Sequence, residues 1–95
     1  MIDNLNRIRN FLDSLLLDYL NLTAVENYAK ARALTIGVSH VFDLSEDDLL
    51  SAFAVRMAEI TRDELNIPLD IPTLKALGAE QVKAKVLDWL VQKQD

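Results

Sequence analysis

The sequence predicts an all-α fold, and three observations carry that prediction. Hydrophobic residues make up 51% of the 95, too many for a disordered chain. Two Gly and two Pro are too few for the turns of a small β protein. Apolar residues also recur at three- and four-residue steps in separate stretches, the period of a helix with one buried face. The length suits a single domain over residues 1–95 with one modest core.

The first helix is predicted from Asp3, which has the residue type of an N-cap, to near Asn21. Leu5, Ile8, Leu12, Leu15, Leu16 and Tyr19 make its stripe, with Arg7, Arg9, Asp13 and Asp18 on other faces. Phe11, Leu17 and Leu20 widen the apolar surface, which implies contact with more than one neighbour. Thr23-Ala24-Val25-Glu26 has capping-box form, so a second helix is expected from Ala24 to about Leu34. The stretch from Leu34 to Val41 is rich in β-branched residues around Gly37 and reads as an ordered, partly buried loop.

Val41 to Leu50 combines a turn, a helix start and an acidic cluster, and the rest of the chain is organised around it. Ser45 is the N-cap candidate, while Glu46, Asp47 and Asp48 fall in the first turn, where the helix macrodipole favours negative charge. Leu49, Phe53, Met57 and Ile60, with Leu50 and Ala54 alongside, then predict one buried face as far as about Leu65. Glu46, Asp47, Arg56, Glu59, Arg62 and Asp63 are expected to form its solvated edge.

Pro68 and Pro72 interrupt helical geometry between Asn66 and Pro72. A short turn should follow, capped by Asp70 or Ile71, with Pro72 near its first position and Gly78 ending it after Leu77. In the last helix Val82, Val86, Trp89 and Leu90 share a face, Lys83 and Lys85 turn outward, and Lys93 complements the dipole's negative end.

Composition also bounds function. The formal net charge of -5 repels phosphate backbones, so the expected partner is a protein surface bearing Lys and Arg and not nucleic acid. The chain has no Cys, which excludes disulfides and thiolate zinc sites and makes the cytoplasm the expected compartment. Asp13 and Asp18 flank the Leu15-Leu16-Leu17 run closely, so no membrane span or signal-peptide core is expected.

From about Ser39 to Leu90 the chain resembles the acyl carrier protein and phosphopantetheine carrier-domain family. The family's Asp-Leu-Gly-x-Asp-Ser-Leu motif precedes its second helix, and the chain reads Asp43-Leu44-Ser45-Glu46-Asp47-Asp48-Leu49 in the same frame. An amphipathic helix follows, then Ile67-Pro68 where family members have an Ile-Pro pair, then Pro72-Thr73-Leu74 and a closing helix. The resemblance implies a four-helix bundle with an extended connection between its first two helices, since Leu22 to Val38 is longer than the usual loop. It also implies a phosphopantetheine arm as prosthetic group. Asp48, however, stands where the family has the attachment Ser, and a carboxylate cannot form that phosphodiester. Ser45, which replaces the family's Gly, and Ser51 are the nearby hydroxyls that remain as alternative attachment points.

Asp48 has two readings: an ordinary first-turn acid, or a fixed negative charge standing where a carrier holds its phosphate. By resemblance, Glu46, Asp47, Arg56, Glu59 and Asp63 form a docking face for biosynthetic enzymes, a synthase or a transferase, with Glu64 beside them. The alternative is an ordinary solvated face. Ser39, His40 and Asp43 invite a catalytic triad, but neighbours in one loop rarely reach triad geometry, and no catalytic residue is assigned. No metal site is assigned either, because the acids from Asp43 to Asp48 lack calcium-loop spacing. Phe11, Tyr19, Tyr28, Phe42, Phe53 and Trp89 are expected in the core, with Phe42 stapling the turn to the acidic helix. The expected function is that of a non-enzymatic carrier-like module with a variant attachment site, in fatty-acid, polyketide or peptide biosynthesis. The alternative is a small helical adapter or regulatory protein that binds a partner or oligomerises through its first helix.

Overall fold

The computed structural model describes residues 2–94, with side chains from Arg7 onward. Over these residues the chain is all-α: α1 (Ile2–Ala24), α2 (Tyr28–Val41), α3 (Glu46–Glu59), a π-helical turn (Ile60–Glu64), α4 (Ile71–Leu77) and α5 (Ala79–Gln94). It divides into two compact units, Met1–Phe53 and Ala54–Asp95, with the division inside α3.

In the first unit α1 already includes Ile2, so Asp3 lies within the helix and does not precede it; the Asp3 and Leu5 side chains lie outside the described residues. The buried face of α1 is Asp13, Leu16 and Leu20, while Leu12, Leu15 and Tyr19 are half-buried and Ile8 is 66% exposed. The face is therefore rotated from the expected stripe, and Asp13 is buried where an outer face was predicted. With apolar residues on most of its circumference, α1 has no single preferred face, and packing against its neighbours sets the rotation.

The main neighbour of α1 is α2, which starts later and runs longer than its sequence suggests. Thr23 does not cap it, since Thr23 sits inside α1 and its hydroxyl donates to the Leu20 carbonyl at 3.1 Å. Asn27 is the cap, accepting from the Lys30 N–H at 3.3 Å. The stretch from Leu34 to Val41 is helix and not loop. Its buried stripe is Ala31, Thr35 and Ser39, three small residues at four-residue spacing. The Thr35 hydroxyl donates to the Arg32 carbonyl at 2.9 Å and Ser39 to the Thr35 carbonyl at 2.6 Å, so both polar groups enter the core satisfied. Packing of this stripe overrides the low helix propensity of Thr35, Ile36, Gly37 and Val38.

Both connections in this unit close by the same device. Asn27 N–H bonds the Leu22 carbonyl at 2.8 Å and Glu26 N–H the Thr23 carbonyl at 3.0 Å, with Glu26 left-handed at φ 58°. Leu44 N–H bonds the Ser39 carbonyl at 2.9 Å and Asp43 N–H the His40 carbonyl at 3.4 Å, with Asp43 at φ 55°. Each is a Schellman motif whose left-handed position holds an acid in place of the usual Gly. Leu49 and Phe53 of α3 are buried in this unit, and the Phe53 ring lies 5.4 Å from that of Tyr19.

In the second unit Ile60, Val86 and Leu90 are fully buried, and α5 packs on the π-helical turn and on α4. The turn widens because Leu65 N–H reaches back to the Ile60 carbonyl at 2.9 Å, an i to i−5 bond. Buried Thr61 donates its hydroxyl to the Met57 carbonyl at 2.7 Å, then Asn66 at φ 55° reverses the chain. Asp70 caps α4 by accepting from the Thr73 N–H at 2.8 Å, and Gly78 at φ +86° closes it. Arg56, expected on the wet edge, is only 6% exposed; its guanidinium carbon lies 5.8 Å from the centre of the Trp89 ring, a cation–π arrangement that the Lys93 ammonium shares at 5.4 Å.

Because Gly37 is an exposed position within α2, and a Cβ added there meets nothing within 4 Å, Gly37→Ala should stabilise the protein by about 0.5–1 kcal/mol. Urea unfolding of the two proteins measures the difference; a loss of stability would mean that residues 34–41 do not hold their helix in solution.

Candidate functional site

The first turn of α3 is the candidate site, and the sequence builds it locally. Once the α2 cap has reversed the chain at Asp43, Ser45 accepts from the Asp48 N–H with its hydroxyl oxygen at 3.0 Å, and its carbonyl takes the first helical bond, from Leu49 N–H at 3.1 Å. Ser45 is the N-cap and Asp48 the third residue of the helix, so the acids sit where amides without intrahelical partners point. Glu46 is half-buried, while Asp47 and Asp48 are exposed. Leu49, directly after Asp48, is buried and anchors the turn.

Both candidate hydroxyls, Ser45 and Ser51, are exposed, but the Ser45 oxygen is already engaged as the cap. Ser39, His40 and Asp43 form no triad: Ser39 is buried with its hydroxyl directed to the Thr35 carbonyl, whereas His40 is exposed. Among the described residues no group of three or more His, Asp and Glu side chains is arranged to hold a metal ion.

Phe42 is not a buried staple. It is 52% exposed and meets Phe11, 49% exposed, edge to face with ring centres 5.4 Å apart. Ile8, one turn before Phe11 on α1, and Leu44, two residues after Phe42, are exposed as well, at 66% and 48%. Aromatic type argues for burial, so these rings are expected in the core from sequence, and nothing in the sequence marks Asp43 as the left-handed residue that follows Phe42 at the end of α2.

The remaining docking candidates belong to the second unit. Glu59 is half-buried, and Asp63 is exposed and held by its neighbour Arg62 through two hydrogen bonds, at 2.7 and 3.0 Å. Those bonds from Arg62 hold the Asp63 carboxyl below the usual carboxylate range and raise Arg62 above its ordinary value. An exposed pair of this kind contributes little to stability. Arg56, being buried, is not part of a free surface. The same unit carries a feature with no counterpart in the sequence reading, an open apolar cleft of about 520 Å³ lined by Met57, Ile71, Leu74 and Val82, with Lys75 and Lys83.

No helix among the described residues is long and apolar enough to cross a membrane. No family model, no curated protein and no solved structure matches the chain.

Two outcomes test this local chemistry. Ser45→Ala removes the oxygen that satisfies the Asp48 N–H and should cost about 1 kcal/mol in urea unfolding, whereas Thr23→Ala, inside α1, removes no cap. The Thr73 hydroxyl, and then its N–H, hold the Asp70 carboxyl below the usual carboxylate range. A carboxyl depressed in the folded state stabilises above its unfolded value, and that contribution is lost as pH falls through the folded one. Asp70→Asn keeps a capping oxygen without the charge, so its stability should fall less than that of the wild type as pH drops below about 4, the unfolded carboxylate value, towards the lower folded one. Equal falls in paired unfolding curves would disprove the linkage.

Proposed function

We propose that this chain is a carrier-like docking module: a protein with the plan of an acyl carrier protein that meets biosynthetic synthases or transferases without carrying a phosphopantetheine arm. One observation carries the reading most of the way. Asp48, in the frame of the attachment Ser, is exposed in the first turn of a helix capped by Ser45, where a prosthetic group would need to leave the protein.

The order of elements supports the same reading. Helical geometry continues from Glu46 through the π-helical turn to Glu64, Ile67-Pro68 lies in the extended segment after it, and the short α4, capped by Asp70 with Pro72 in its first turn, precedes the closing α5. Exposed Asp47 and Asp48 supply the negative charge that basic partner surfaces recognise in such modules. The cleft near Ile71, Leu74 and Val82 supports kinship with carriers, since it offers an apolar wall to a chain of methylenes.

A second reading, a small helical adapter, is favoured by the exposed Phe11 and Phe42 pair, which no arm-carrying role requires.

Treating the protein and its Asp48→Ser variant with a phosphopantetheinyl transferase and coenzyme A, then weighing each intact, tests the proposal. The wild type should keep its mass and Asp48→Ser should gain one arm. A folded Asp48→Ser protein that stays unmodified would remove the carrier frame and leave the adapter reading, while an arm on the wild type, mapped to Ser45 or Ser51, would make the chain a true carrier.

A further inference from the structure

The cleft in the second unit is built by α4 and α5. Ile71 and Leu74 of α4, Val82 of α5 and Met57 near the end of α3 supply its apolar wall, and Gly78 and Ala79, which carry almost no side chain, line it where α4 joins α5. The charged residues that line it, Lys75 and Lys83, are both basic, in a chain whose net charge is -5. Lys75 has no acidic partner among the described residues. Lys83 has Glu80 at 3.9 Å, a pair too exposed to hold the ammonium in place.

We propose that this cleft binds an acidic amphipathic helix of a partner protein. The walls are helical, and among the described residues no aromatic ring lines them, so an extended peptide would find no strand edge to join and a proline-rich one no stacking surface. A helix satisfies its own backbone and needs from the cleft only a place for apolar side chains at one-turn spacing. The cleft is open to solvent and covers one face of its ligand, whereas pockets for small molecules enclose most of theirs. The lysines select the sign of charge. Glutamates or aspartates beside the apolar stripe meet Lys75 on α4 and Lys83 on α5, while a basic helix is repelled. Met57, unbranched and flexible, lets the wall adapt to the side chains it receives. The inference goes beyond the carrier-like reading and does not depend on it.

The probe is a fluorescent peptide of about three helical turns, with leucines at one-turn spacing and glutamates elsewhere, titrated with the full chain up to about 1 mM and followed by anisotropy. It should bind, and the same peptide with lysine for every glutamate should not. Lys75→Glu and Lys83→Glu together should weaken binding at least about tenfold. Ile71→Asp, at a position 71% exposed, should weaken it as well while leaving the helical circular dichroism intact. Lys85→Glu makes the same charge change at a residue that does not line the cleft, and should leave binding as it was. Failure of the acidic peptide to bind overturns the proposal, as does equal binding of the two peptides or a loss from Lys85→Glu as large as that from Lys75→Glu. Dodecanoate seated in the cleft without the peptide would assign it to a small carboxylate and overturn the proposal too.

Discussion

A helix leaves four amides at its start and four carbonyls at its end without partners along its own backbone, and in this chain the way those groups are satisfied fixes nearly everything else. Only two glycines are available, and one of them, Gly37, lies within α2. Just Gly78 ends a helix with the usual residue; the other reversals pass through Glu26, Asp43 and Asn66, each forced to positive φ. Asp43 and Asn66 are of the types that enter that region most readily and Glu26 is not, and backbone hydrogen bonds close the reversals at Glu26 and Asp43. Asn27 shows how closely the ends are coupled: its N–H closes α1 on the Leu22 carbonyl while its side chain opens α2 at Lys30.

That economy explains which parts of the fold were legible. Caps with a side-chain oxygen three residues before an amide are local, so Ser45 and Asp70 could be read directly, and with them the starts of α3 and α4. Thr23-Ala24-Val25-Glu26 satisfied the same local rule and misled, because α1 was stable enough to continue through Thr23 and the reversal fell to Glu26. Nothing local could reveal that Leu34 to Val41 is helical. Its β-branched residues and Gly argue against helix, and what decides is the close approach to α1 that Ala31, Thr35 and Ser39 permit. The π-helical turn was equally hidden, since it arises from a carbonyl choosing an amide five residues on in place of four.

Two misread charges did carry a signal. Asp13 stands three residues before Leu16 and seven before Leu20, and Arg56 stands three after Phe53 and four before Ile60, so both occupy core spacing on their own helices. Residue type was given more weight than position. Position was the better guide, because a long helix cannot rotate one side chain out of a face whose neighbours are buried. Ionised groups so placed are costly unless engaged, and neither is without a partner; among the described residues no buried side-chain nitrogen or oxygen lacks a hydrogen bond. At the start of α3 the exposed charge is acidic, from Asp47 and Asp48.

Under the carrier-like reading, the chemistry of that start bears on how an aspartate could stand at position 48. A serine phosphodiester sets a negative charge against the amides that open a helix, where the macrodipole favours an anion. Asp48 sets a carboxylate at the third position of the same turn, and its own N–H is already satisfied by Ser45. In the proposed reading the substitution therefore keeps the electrostatic feature a partner's arginines and lysines would meet, and discards the covalent one. The exchange is asymmetric. In that reading, serine at position 48 would supply the nucleophile but remove the charge until the arm was attached, whereas aspartate presents the charge permanently, in a turn capped by Ser45 and followed by buried Leu49. A module that only docks gains from permanence; one that delivers a cargo needs the reverse.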